Sequence, residues 1–108
     1  MKTPIVVPFN GIDCHLVFGV YPDTGRTLLA LVNPEDSAII TIPTIDVPGY
    51  IQLLPDEVPI REWQDNQGVL EALIRARVVT VPHKYITNGL YDVPVCTVIA
   101  KEPSTTIH

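Results

Sequence analysis

Apolar and polar side chains alternate most clearly over residues 12–21, IDCHLVFGVY. Every second residue of this segment falls on one apolar side, which comprises Ile12, Cys14, Leu16, Phe18 and Val20. A period of two places successive side chains on opposite faces of a β-strand. Asn10-Gly11 before the segment and residues 22–25 after it are turn sequences. The pattern therefore predicts a strand between two turns, with residues 5–9 as an edge strand on which Pro8 is tolerated.

Three further runs are apolar at nearly every position, namely residues 28–32, 38–42 and 93–99. Strands of this kind are usually covered on both faces. Residues 46–59 contain three prolines and one glycine and predict an irregular crossing segment, which leads into a strand-like stretch. Asn88-Gly89 predicts a hairpin turn before the last strand.

The segment REWQDNQGVLEALIRARVV predicts the single helix of the chain, at about residues 66–77. An apolar stripe at helical spacing comprises Val69, Leu70, Leu73 and Ile74. Glu71 and Arg75 form an i,i+4 pair on the polar side. Asp65 or Asn66 is expected to cap the first turn by accepting a backbone hydrogen bond. We therefore expect a helix whose apolar side faces the core.

The predicted order is β, β, β, β, loop, β, α, β, β, which indicates an α+β fold. We expect an antiparallel curled sheet or half-barrel of 5–7 strands with the helix packed on it. A helix of about 12 residues is about 18 Å long and covers only two or three strands. The sheet must therefore curl on itself or find other cover. The length predicts one domain, residues 1–102, followed by a flexible tail at 103–108.

The composition argues against two classes of partner, nucleic acids and membranes. Only 18% of the residues are charged and the net charge is -5, which opposes attraction to nucleic acid or to an anionic membrane. No apolar run approaches the roughly 20 residues of a membrane-spanning helix. The first residues, MKTPIVVPFNG, lack the continuous apolar core of a signal peptide. We expect a soluble, cytoplasmic protein that contacts neither nucleic acid nor membrane directly.

Acidic residues concentrate in the middle of the chain, where Arg61 is the only basic residue. They are Glu35, Asp36, Asp46, Asp56, Glu57, Glu62 and Asp65. One hypothesis is therefore a host-defence inhibitor that occupies a nucleic-acid-binding groove. Seven acids spread over residues 35–65 are nevertheless sparse beside duplex DNA, which carries one charge per about 1.7 Å of axis.

Two cysteines raise the question of thiol chemistry. Cys14 and Cys96 each lie within an apolar strand pattern, which favours free, buried thiols in a reducing compartment. Cys14 and His15 point to opposite strand faces and cannot act as nucleophile and base together. Cys14 with His83, brought together across the sheet, stays an alternative.

Metal and cofactor chemistry has little support in the sequence. Asp13 and His15 share a strand face and could supply two metal ligands, but a site needs further ligands. His83 or Asp92 could complete it only through tertiary placement. No glycine-rich phosphate motif occurs. We expect no cofactor and no enzymatic activity, with a Cys/His-based enzyme or metal protein as an alternative.

Residues near turns are the candidates for protein contact, and they comprise Tyr50, Asp56, Glu57, Trp63, Tyr85 and Tyr91. Each has a structural alternative. The adjacent acids Asp56 and Glu57 lie between prolines and are expected to solvate a loop. Trp63 is expected to close the start of the helix against the core. The tyrosines could equally pack at the sheet margins.

The segment DEVPIREWQDNQGVLEALIRARVV, followed by GLYDVPVCTV, resembles a group of small, acidic, uncharacterised proteins of plasmids, phages and conjugative elements. The shared pattern is an acidic turn, Asn66 and Gly68 at the helix entry, the stripe at 70–73 and a closing strand at 89–98. It covers roughly the C-terminal half and, more loosely, the N-terminal hairpin. The resemblance brings no catalytic residues and implies a small accessory role in a bacterium or phage.

These observations favour a non-enzymatic protein-interaction module or a self-associating accessory protein of a mobile element. The expected binding surface is apolar strand surface or an edge strand, and the partner is a protein or a second copy of the chain. The basis for this expectation is that the strands that are apolar on both faces present more apolar surface than one helix can cover.

Overall fold

A computed structural model describes residues 4–101, apart from the side chains of Asp65, Asn88 and Tyr91. In chain order the elements are β1 (Val6–Phe9), β2 (Ile12–Val20), β3 (Thr27–Val32), β4 (Ile39–Thr41), β5 (Glu57–Pro59), α1 (Val69–Arg75), β6 (Lys84–Asn88) and β7 (Tyr91–Thr97). The predicted α+β class and element order are confirmed. The predicted tail at 103–108 lies outside the described residues. None of the helices described is long and apolar enough to cross a membrane.

The strands form two antiparallel sheets, in the orders β1-β2-β3-β4 and β5-β7-β6. A short seam joins them after β4. Thr44 forms an antiparallel bridge with Ile60, and the Arg61 amide donates to the carbonyl of Pro43 at 2.7 Å. The antiparallel strands expected from the sequence thus belong to two sheets that meet at this irregular seam.

Two predicted hairpin turns are present, and one is displaced by a residue. Asn10-Gly11 joins β1 to β2 with φ values of 52° and 77°, the positive values that a type I′ turn requires. At the other hairpin Asn88 pairs with Tyr91, so the turn is Gly89-Leu90 rather than Asn88-Gly89. Gly89 supplies the positive φ there, at 69°.

The core lies between one face of the strands and α1. Its buried members are Val7, Phe9, Cys14, Leu16, Leu29, Leu31, Val58, Ile60, Val69, Leu73, Val78, Val79 and Cys96. Val69 and Leu73 of the predicted helical stripe are fully buried, while Leu70 and Ile74 pack at the margin. Each fully buried aliphatic side chain stabilises the fold by about 1.5–3 kcal/mol. The core-facing role predicted for the helix is confirmed.

The helix is shorter than predicted because left-handed residues fix both ends. Gly68 precedes it with a φ of 88°, and Arg77 follows it with a φ of 62°. The Val78 amide donates to Leu73 at 2.9 Å and the Arg77 amide to Ile74 at 3.0 Å. This pair of bonds is the Schellman motif that ends many helices.

Neither predicted capping residue caps α1 through a described contact. The side chain of Asp65 is outside the description, and Asn66 is buried and bonded to β4. Instead, the Glu62 carboxylate accepts hydrogen bonds from the amides of Gly68 at 2.8 Å and Leu70 at 2.7 Å. A carboxylate at this end also interacts favourably with the helix dipole.

Glu62→Ala is expected to lower the free energy of unfolding by about 1 kcal/mol, because two amides at the start of the helix lose their acceptor. Glu71→Ala is the matched control, since it removes an equal charge from an exposed pair with Arg75. Such pairs contribute about 0.3–0.5 kcal/mol. Urea denaturation of the two variants measures the difference. Equal losses would contradict a capping role for Glu62.

Candidate protein-interaction site

The four-stranded sheet has a second face, opposite the core, that we call the outer face. Strand alternation and register assign to it Val6, Pro8, Asp13, His15, Val17, Gly19, Leu28, Ala30, Val32 and Ile39. Val6, Val17 and Ile39 are 43%, 46% and 61% exposed, and of the ten residues only Ala30 is buried. The outer face is therefore an apolar surface with two ionisable side chains, Asp13 and His15.

A single row of side chains crosses all four strands of the outer face. Val6 pairs with His15, His15 with Val32, and Val32 with Ile39. Directly opposed side chains in antiparallel strands lie about 4.5–5.5 Å apart at Cβ. The row is therefore continuous, and it is apolar except for the half-buried His15.

The helix leaves this face uncovered. Val69 and Leu73 of α1 join the same buried cluster as Val7 and Cys14, which lie on the core side of the sheet. The shortage of cover inferred from the sequence is therefore located on the outer face of the four-stranded sheet.

One end of the outer face is acidic. Asp13 lies on β2 at this end, and the adjoining β3–β4 turn carries the exposed Glu35 and Asp36. The turn is ordered by its own side chains: Asn33 accepts from the Glu35 amide and Asp36 from the Ala38 amide, both at 2.9 Å. Residues 33–38 and the outer face contain no Lys or Arg. A partner with basic residues beside an apolar patch would match this end.

The contact residues predicted from the sequence do not converge on one surface. Tyr50, 84% exposed, lies in the loop between β4 and β5, and Tyr85, 63% exposed, lies on β6. Asp56 is exposed just before β5, and Trp63 is half-buried before the short 3-10 turn. The side chain of Tyr91 lies outside the described part. None of the six predicted positions belongs to the outer face, which sequence reasoning did not locate.

Glu57 corrects one expectation, because it does not solvate a loop. It is only 6% exposed and accepts a hydrogen bond from the Leu54 amide at 2.8 Å. His83 Nε2 lies 2.6 Å from one carboxylate oxygen, and Lys84 Nζ lies 3.0 Å from the other. The Leu54 amide lowers the pKa of Glu57 to about 2 against the effect of burial, with further lowering from His83 and Lys84. Glu57 is thus a buried anion held by three donors.

The arrangement of cysteine and histidine gives no support to thiol or metal chemistry. Cys14 and Cys96 are free and buried, as predicted. Burial raises the pKa of both thiols, that of Cys96 to about 11, which disfavours the reactive thiolate. His83 lies against Glu57 instead of a thiol. Among residues 4–101, no group of three or more His, Cys, Asp and Glu side chains could hold a metal ion.

Compared with known proteins, the chain matches no protein-family model, no curated protein and no solved structure. The functional argument therefore depends on the geometry of the chain itself. Its most extensive unusual feature is the apolar outer face with its acidic end.

Proposed function

We propose that this chain is a non-catalytic module that binds a protein through the outer face of its four-stranded sheet. The observation that carries the proposal is the continuous row from Val6 to Ile39, which is apolar apart from His15 and is exposed at both ends. Exposed apolar patches with polar borders are typical of protein-interaction sites.

The chemistry of the partner follows from the acidic end of the face. Asp13, Glu35 and Asp36 are matched by an apolar patch bordered by Lys or Arg, which would speed association and set its orientation. A second copy fits this face less well, because each copy carries a net charge of -5 and this surface supplies no basic residue. The occupant we propose is therefore a different protein with a basic border.

The alternative of an acidic inhibitor in a nucleic-acid-binding groove has weaker support. Two of the acids in the middle of the chain serve the fold, since Glu57 is buried among its donors and Glu62 accepts from helix amides. Asp46 also accepts from the Thr24 hydroxyl at 2.8 Å. The charge left for such a groove is too dispersed. As its setting we propose the cytoplasm of a bacterium, as an accessory protein of a mobile element.

The test compares two variants with the same added charge. Val17→Asp with Ile39→Asp places two carboxylates on the outer face, whereas Val20→Asp with Leu54→Asp places them at exposed apolar positions elsewhere. Proteins from lysate of the native host are captured on each variant and on the natural chain, then identified by mass spectrometry. We expect the partner to be recovered with the natural chain and the control, and at least about tenfold less with the outer-face variant.

Capture alone is insufficient, so the partner is purified and its affinity measured. Binding should weaken from low to moderate salt, because the Debye length falls to about 10 Å at 0.1 M. The proposal is wrong if the purified partner binds the outer-face variant as tightly as the control. It is also wrong if only the control variant loses binding.

A further inference from the structure

The edge of the three-stranded sheet at β6 presents backbone groups for pairing. Tyr85 lies opposite Pro94, and the Ile60 amide donates to the Pro94 carbonyl at 2.9 Å, so that carbonyl faces β5. Because backbone groups alternate in direction along an antiparallel strand, the amide and carbonyl of Tyr85 point away from β7. Those of Thr87 do the same. Within residues 4–101, β6 has only β7 as a neighbouring strand.

This edge lacks the features that usually prevent edge-to-edge pairing. At the edge of the other sheet, β1 contains Pro8, which has no amide hydrogen, and α1 packs beside it. By contrast β6 has no proline. Its one charged residue, Lys84, forms an ion pair with Glu57 of β5, on the other side of β7 from the free edge. Of these two edges in the described part of the chain, β6 is therefore the less protected.

We propose that β6 pairs with β6 of a second copy in antiparallel register, about a two-fold axis at Ile86. Tyr85 of each copy then exchanges two backbone hydrogen bonds with Thr87 of the other, giving four in total. The pairing extends the three-stranded sheet into a six-stranded sheet. It uses a surface separate from the outer face and stands independently of the proposed partner there.

The charge pattern along β6 is compatible with this register. Lys84 comes opposite Asn88 of the second copy, so no like charges are directly opposed, which would be destabilising. Tyr85 meets Thr87, and Ile86 meets its own copy. The aromatic Tyr85 and the β-branched Thr87 are favourable cross-strand neighbours.

The apolar groups beside β6 distinguish a second copy from an arbitrary peptide. Leu90, 97% exposed, lies in the turn at one end, and Val81, 63% exposed, lies just before the other end. The chain bulges between Thr80 and His83, a segment that includes Val81, since these two amides donate to β7 carbonyls only two residues apart. The two-fold axis brings Leu90 of one copy beside Val81 of the other, at both ends. This self-complementarity is what an isologous dimer requires.

The experiment uses two variants of the full chain that differ at one position. Tyr85→Lys with Thr87→Lys places lysines opposite one another twice across the axis. Tyr85→Asp with Thr87→Lys loses the same exposed side chains but places a carboxylate opposite a lysine twice. Sedimentation equilibrium across protein concentration gives the dimer dissociation constant, and circular dichroism verifies the fold. Both substituted positions are exposed in the single chain.

We expect the natural chain and the Asp/Lys variant to dimerise. In the double-lysine variant the dimer dissociation constant should rise by a factor on the order of ten or more. Because both copies are acidic, dimerisation of the natural chain should strengthen with added salt. A natural chain that stays monomeric overturns the inference. So do two folded variants that are both dimeric or both monomeric. None of these results bears on the outer face, whose variants leave positions 85 and 87 unchanged.

Discussion

Acidification from pH 7 to pH 2 is expected to lower the free energy of unfolding by about 3 kcal/mol through Glu57 alone, because folding lowers the pKa of this carboxyl group. The pKa of Glu57 is about 2 in the folded protein, against an ordinary value of 4.5. A folded pKa below the unfolded one means that the unfolded chain binds the proton more readily as the pH falls. The stabilisation is therefore complete above about pH 5 and is lost as the pH falls from 4.5 through 2. Urea denaturation at several pH values measures it.

The neighbouring carboxylate provides the matched control. Glu57→Gln should lower the free energy of unfolding at pH 7 by about 3 kcal/mol. Its stability should vary much less between pH 5 and pH 2, and near pH 2 the variant and the natural chain should be about equally stable. Asp56→Asn alters an exposed acid one residue away and should leave the natural profile intact. If Glu57→Gln kept the full acid dependence, the carboxylate would not be the origin of it.

Local sequence carried most of the information about the elements. In β2 the alternation from Ile12 to Val20 placed Cys14 and Leu16 inward, where both are buried. Asn10-Gly11 fixed a hairpin because both residues adopt positive φ. The helical stripe placed Val69 and Leu73 in the core. These predictions needed only neighbouring residues, which is why they succeeded.

Contacts between distant residues were beyond such reasoning. Asp56 and Glu57 are adjacent acids that look alike in sequence, yet one is exposed and the other buried. What separates them is the start of β5 and the arrival of His83 and Lys84 from 26 and 27 residues further along the chain. In the same way, Glu62 caps α1 from outside the expected capping positions, across the short 3-10 turn.

The sequence predicted an uncovered apolar strand face but not its location. The apolar character of residues 28–32 implied a second face in need of cover, but the sequence did not show which strands would flank it. The row from Val6 to Ile39 exists only because the register brings β1, β2, β3 and β4 together. The register with β4 shifts by one residue between Leu31 and Val32. A one-residue slip would have turned the apolar row to the other face.

The second face of the three-stranded sheet is covered by a loop instead of a helix. Val93 and Val95 are fully buried, although they point away from the face on which Cys96 joins the main core. Val47, in the loop after β4, is also buried, and Leu53 of the same loop lines one cleft together with Lys84 of β6. We infer that residues 45–54 lie over this second face. The loop therefore supplies the cover that a second helix would otherwise give.

Arg26 holds that loop in place, and its loss is expected to have the second large effect. Its guanidinium donates to four loop carbonyls, those of Val47, Pro48, Gly49 and Ile51. Arg26→Met keeps the apolar stem but removes every donor. We expect the free energy of unfolding to fall by about 2–4 kcal/mol, since hydrogen bonds to charged groups contribute about 1.5–3 kcal/mol each and these are partly exposed.

The signature of this role is local as well as global. Hydrogen exchange in Arg26→Met should accelerate in residues 45–54 and at Val93 and Val95, because the loop opens before the main core does. Arg75→Met is the control of equal charge, since Arg75 makes an exposed i,i+4 pair with Glu71 and should cost about 0.5 kcal/mol or less. Arg26→Lys should fall between the two, because a lysine ammonium lacks the planar fork that reaches several carbonyls. Equal stability of Arg26→Met and Arg75→Met, with unchanged exchange in the loop, would mean that the apolar contacts of the loop hold it without the guanidinium.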